Sequence, residues 1–178
     1  MNLYIRFIKL IFKIIFAKKR SPLEKSILTF RVWPLDCDIY LHLTNARYPA
    51  FMDLGRTLLL GQAGIIGKLL KNKYLLIPVS SEISFIREIK PFQKFELHSE
   101  LITWDDTYWF VDQKFISGET LHAHATIRGL VMRKGKKVPF QEALDLLDVH
   151  YDPPAMPDRI LAWQSLLEEK KKASMINS

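Results

Sequence analysis

The chain has 178 residues, 48% apolar and 25% charged, enough for one domain with a buried core and unlike a disordered chain. Its single cysteine, Cys37, excludes an intrachain disulfide and a Cys-rich zinc site, and fits a reducing compartment. The net charge of +7 is local: residues 1–25 hold Arg6, Lys9, Lys13, Lys18, Lys19, Arg20 and Lys25 against one acid, Glu24, so the body is close to neutral and no nucleic-acid partner is expected.

"LYIRFIKLIFKIIFAKKR" (3–20) is apolar but punctuated. Arg6, Lys9 and Lys13 are spaced by three and four and share one face of a helix, with Arg20 returning to it. Three charges inside the run argue against a spanning helix. Interrupting lysines, and no small-x-small site after them, argue against a signal peptide. Two readings stand side by side. The helix lies in the interface of an anionic membrane, with residues 1–20 as its contact, or it packs on its own domain or a partner subunit. The expected location is cytoplasmic, peripheral to the membrane under the first reading. Segment 1–25 is thus set apart from a body of 26–150 and a C-terminal segment of 151–178.

"SILTFRVW" (26–33) reads as a strand ended by Pro34. From Ala46 to Leu60 the apolar residues recur at helical steps, with Pro49 in the first turn, where its missing N–H does no harm. A second short helical piece runs to Lys71. The period then becomes two, giving strands at 76–90, 95–106, 107–117 and 119–134, the last two joined by a tight "SGE" turn. "PFQEALDLL" (139–147) reads as a short helix and 159–172 as a closing helix with Asp158 as its N-cap. One apolar helix against five antiparallel strands is a two-layer α+β arrangement, and its open edges favour pairing with a second subunit.

Between the first strand and the long helix stands "DCDIYLHLTNARY" (36–48). There is no Gly-rich phosphate loop and no G-x-S-x-G elbow in the chain. The motif resembles that of the 4-hydroxybenzoyl-CoA thioesterase branch of the hotdog-fold superfamily: D-x-D, a variable trio, then H-x-N-N-x-x-Y entering the helix. "WPLDCD", "TWDD" and "PPAMPDRILAW" are similar to the thioesterase-superfamily-member-six-like group. The resemblance spans roughly residues 26–170. Two positions depart from it: Leu41 stands where many members carry glycine, and Thr44 replaces the first of the paired asparagines.

The resemblance implies a hotdog fold, a five-stranded antiparallel sheet wrapped around a central helix, here with extra N- and C-terminal helices. It implies an acyl-CoA or acyl-carrier thioesterase, assembled as a homodimer or dimer of dimers. No metal and no cofactor is expected beyond coenzyme A as part of the substrate. The match places the general base or nucleophile on Asp38. A carboxylate beside Ile39, Tyr40 and Leu41 is expected to be partly desolvated and more basic. The start of the central helix, Asn45 to Tyr48, supplies N–H groups and positive potential for an oxyanion, so Tyr40, Ala46, Arg47 and Tyr48 become substrate contacts. Arg87 and Lys90, near a strand end, are placed to meet coenzyme A phosphates. Each residue also has a plainer role. Asp36 shapes the turn or caps the helix, as Asp38 can. His42 assists proton transfer or is a hydrogen-bonded structural histidine. Asn45 orients water or, like Thr44, caps the helix. Asp53 is a reserve catalytic acid or an i,i+3 partner of Arg56. His122 and His124, on one strand face, read as solvent-side or interface residues. The alternative function is a non-catalytic hotdog module that binds acyl or lipid groups, or a membrane-docked scaffold.

Overall fold

In a computed structural model that describes residues 3–176, the period-two half of the chain forms one antiparallel sheet. The elements are α1 (Leu3–Ile15), β1 (Ser26–Arg31), α2 (Arg47–Gln62), α3 (Ile66–Lys71), β2 (Tyr74–Phe85), β3 (Lys94–Trp104), β4 (Tyr108–Ser117), β5 (Thr120–Arg133), β6 (Lys136–Val138), α4 (Phe140–Leu144) and α5 (Asp158–Ile176). The strand order is β1-β3-β4-β5-β2, and the three-residue β6, too short to carry an alternation, adds to β5. Ser117 pairs with Thr120 across a two-residue turn in which Gly118 takes φ +59°, a conformation that glycine adopts without a Cβ clash.

Strict alternation on β1 turns Leu28 and Phe30 inward. They meet α2 through an aromatic cluster in which Phe51 lies 4.7 Å from Phe30 and 5.3 Å from Phe95. The helix approaches the sheet so closely at Gly55 that a Cβ there would stand 2.6 Å from Ser99 Oγ. Beside that contact runs a buried polar network. Gln113 donates to the Met52 carbonyl and to Ser99 Oγ, and accepts from Arg56 at 2.9 Å.

The start of α5 is anchored on the outer sheet face, where Ile160 is buried. Phe110 and Leu130 are buried on the face that carries Asp112 and Thr126. Arg159 of α5 holds both Asp112 oxygens at 3.2 and 2.5 Å, and Thr126 donates to the same carboxylate at 2.7 Å. Burial raises the Asp112 pKa, but His124, Thr126 and Arg159 outweigh it and hold the group below the usual Asp range. A carboxyl with a depressed folded value stabilises the fold above its unfolded value of about 3.9, and loses that contribution as pH falls through the folded value. Asp112→Asn is therefore expected to lower the urea midpoint at pH 7 and to bring it closer to wild type at pH 3.

The N-terminal helix departs from the expected basic stripe. Leu3, Arg6, Leu10 and Ile14, also spaced by three and four, turn toward the body, with Arg6 and Leu10 buried. Lys9 and Lys13 stay outside, so the stripe is split. Tyr4, Ile8, Ile11, Phe12 and Ile15 form an exposed apolar face, with Phe16 beyond them 83% exposed. Among the described residues no helix is long and apolar enough to cross a membrane.

Candidate active site

The segment after β1 folds into a turn built on Asp36. Its carboxylate is fully buried, accepts the Trp33 N–H at 2.9 Å, and is gripped by Arg6 at 2.9 and 2.5 Å. Arg47 Nε stands 3.6 Å away. Burial raises the Asp36 pKa, yet Arg6, the Trp33 N–H and Arg47 bring it below the usual range. A bridge between Cys37 and Leu43 frames the tip, where the Asp38 N–H donates to the His42 carbonyl at 3.0 Å. The Asp38 carboxylate accepts the N–H groups of Tyr40 at 2.9 Å and His42 at 3.3 Å through one oxygen.

The expected desolvation of Asp38 does not occur in the single chain. The turn projects outward, leaving Asp38 exposed and Ile39, Tyr40 and Leu41 at 88%, 73% and 65% exposure. Leu41 takes φ +58°, a left-handed backbone conformation that favours glycine. Such a conformation costs an L-residue about 1–2 kcal/mol. The exposed side chain gives little back, so Leu41→Gly is expected to stabilise the fold by about 1 kcal/mol, after glycine's larger unfolded-state entropy is counted. Thermal unfolding checks it.

Neither Thr44 nor Asn45 caps α2 with its side chain. Their carbonyls instead accept the N–H groups of Arg47 at 2.9 Å and Tyr48 at 3.3 Å, and Pro49 has none. Among the described residues, the N–H groups of Asn45 and Ala46 are left without a partner. Arg47 reaches the Leu35 carbonyl at 3.4 Å and Asp36, so it braces the turn. The Tyr48 ring lies in the core against Phe85 and Phe115, and burial pushes its hydroxyl pKa up to about 12. The Cys37 thiol is pushed up by burial and then by the charges of Asp36 and Asp38, which disfavours a thiolate nucleophile.

The loop after β2 closes on this turn. The Leu43 N–H donates to the Ile89 carbonyl at 2.9 Å, bringing exposed Arg87 and Lys90 to the neighbourhood of His42. Glu88 joins them. Its own N–H, with His42, Lys90 and His122 nearby, outweighs desolvation and lowers its pKa. The sequence reading does not single out Glu88, which falls within the strand expected over 76–90. His122 is buried rather than solvent-side, because this loop folds over it: Nδ1 lies 2.8 Å from the Glu88 carbonyl and Nε2 3.3 Å from Gln93. His124 is half-buried, 3.2 Å from Asp112.

Asp53 lies apart from Asp38, further along α2. It is exposed, paired with Arg56, and stands at the rim of an apolar cavity of about 260 Å³. Leu60, Leu76, Leu101, Trp109, Phe140 and Leu144 line that cavity. Asp38, His42 and Asn45 do not line it, so within one chain the turn and the cavity are separate.

Residues 32–164 match the family model of the thioesterase-like superfamily, and the chain belongs to that family. It is 35% identical over 108 residues to the probable thioesterase YBR096W of Saccharomyces cerevisiae, a match covering 58% of this chain and 46% of the yeast protein, less than half its length. It is 24% identical over 170 residues to protein THEM6 of Drosophila melanogaster, covering 91% of this chain and 86% of that one. A probable thioesterase from Bartonella henselae superposes with a TM-score of 0.60 at 20% identity, over 65% of this chain and 98% of the other. The curled antiparallel sheet around α2 is the hotdog fold.

Proposed function

We propose that the chain is an acyl-CoA or acyl-carrier thioesterase in which Asp38 activates water or attacks the thioester carbonyl. The observation that carries this reading is the placement of Asp38. One of its oxygens is engaged by two backbone N–H groups while the other has no partner among the described residues, a short way from an uncapped helix start. The fixed oxygen orients the carboxylate, and the second is open to a water or a thioester carbon. The N–H groups of Asn45 and Ala46 receive the oxyanion, helped by the positive end of α2. His42 and the Asn45 side chain orient water, Tyr40 contacts the substrate, and Arg87 and Lys90 meet the phosphates of coenzyme A; because the turn and the α2 cavity are separate within one chain, the acyl chain enters the α2 cavity of a second copy.

The active unit is a homodimer. Among the described residues the outer edge of β2 is unpaired, with Leu75, Ile77 and Val79 exposed. β2 leads directly into the loop that touches the catalytic turn. A second copy on that edge covers apolar surface and shields Asp38 from water. The protein sits in the cytoplasm, peripheral to the membrane. The outer face of α1 enters the bilayer interface and Lys9, Lys13, Lys18, Lys19 and Arg20 meet anionic headgroups. Flotation with anionic vesicles is expected, and none with neutral ones; a protein that ignores both ends the membrane assignment.

The test of the enzymatic reading is free-thiol release from acyl-CoAs of rising chain length, with rates rising until the cavity is filled. A second reading, a non-catalytic acyl- or lipid-binding module, is favoured by the exposure of Asp38 and the departures at Leu41 and Thr44. It predicts acyl-CoA binding with no thiol release.

A further inference from the structure

We infer that Arg6 is a positioning residue of the active site, so that α1 completes the site although it precedes the family-matched stretch; for turnover, this rests on the assignment of Asp38. A guanidinium carried by an apolar helix would ordinarily turn to solvent, because burying it is costly unless every face is paired. Arg6 is 4% exposed and makes three hydrogen bonds through its two terminal nitrogens. It binds both oxygens of Asp36, donates to the Arg31 carbonyl at 3.1 Å, and stacks 4.6 Å from the Phe51 ring centre.

The carboxylate it grips stands two residues before Asp38 and joins the parts of the site. The side chain of Asp36 takes the Trp33 N–H, its carbonyl takes the Thr44 N–H at 3.0 Å, and Arg47, the first residue of α2, leans on it. Asp36 therefore sets the spacing between the arm that presents Asp38 and the arm that presents the free amides of Asn45 and Ala46. Arg47, at 3.6 Å and about one-third exposed, makes no two-oxygen grip. Without Arg6 the buried carboxylate must rotate toward water, and the Thr44 contact has to yield. A lysine keeps the charge but cannot reproduce the planar two-point hold.

The test compares Arg6→Lys with Leu10→Ala in the full chain. Leu10 is 2% exposed, one helical turn along the same face, and has no bond to Asp36. Arg6→Lys is expected to lower kcat about 10–100-fold with little change in KM, the scale of an ångström-level misplacement, and to speed amide exchange at Leu43 and Thr44. Leu10→Ala is expected to lower Tm while leaving kcat and those amides unchanged. Equal losses of kcat in the two variants, or an Arg6→Lys protein with normal kcat and normal exchange, overturns the inference. If the wild-type protein releases no thiol, the thioesterase reading fails by itself, and amide exchange alone decides the role of Arg6: normal protection in Arg6→Lys overturns it.

Discussion

Asp38→Asn is expected to lower kcat for thioester hydrolysis at least ~100-fold while the protein stays folded. General-base catalysis contributes 10²–10⁴-fold, and the amide that replaces the carboxylate cannot accept a proton from water or form an acyl intermediate. The fold should tolerate the change for a specific reason. The Asp38 oxygen accepts two N–H groups, from Tyr40 and His42, and the Asn carbonyl oxygen can accept both. The side chain is exposed, where substitutions usually stay within about ±0.5 kcal/mol. Steady-state thiol release beside a thermal melt checks both halves. Undiminished turnover would move the catalytic role to Asp53, the reserve acid, or elsewhere.

Arg6→Met is expected to destabilise the protein by about 3–5 kcal/mol, the range for stripping one partner from a buried ion pair. Asp36 is fully buried, so its charge cannot be relieved by solvent without moving the turn. The double variant Arg6→Met/Asp36→Asn should recover much of the loss, because it removes the stranded charge together with its partner. Urea unfolding of the four proteins gives the coupling directly. The pH dependence has a defined sign. The folded pKa of Asp36 is depressed, so the pair stabilises above the ordinary Asp value of about 3.9 and loses that contribution as pH falls through the folded value. The gap between wild type and Arg6→Met should therefore narrow in strong acid.

The sheet was legible because alternation is a local signal that burial on one face enforces. The "SGE" hairpin and the helix expected from Ala46 to Leu60, found over Arg47–Gln62, were legible from local signals too, and the "DCDIYLHLTNARY" motif from its resemblance to a family pattern. Arg6 was not. A spacing of three and four groups it with Lys9 and Lys13 as readily as with Leu3, Leu10 and Ile14, and the choice is made by Asp36, thirty residues away. The surroundings of Asp38 misled in the other direction. An apolar trio suggests burial, but a five-residue tip closed by Asp38 and His42 has to point out of the chain. Burial of His122 depends on the loop after β2 folding over it, which strand periodicity does not encode. Glu88 reaches the site through that same loop, by the Leu43–Ile89 contact.

The most direct measurement of the central claim is thiol release from a bound long-chain acyl-CoA by wild type, Asp38→Asn and Asp53→Asn side by side. The predicted result is release by wild type and Asp53→Asn and its loss in Asp38→Asn. Acyl-CoA binding with no release by the wild-type protein, or full release by Asp38→Asn, would contradict it.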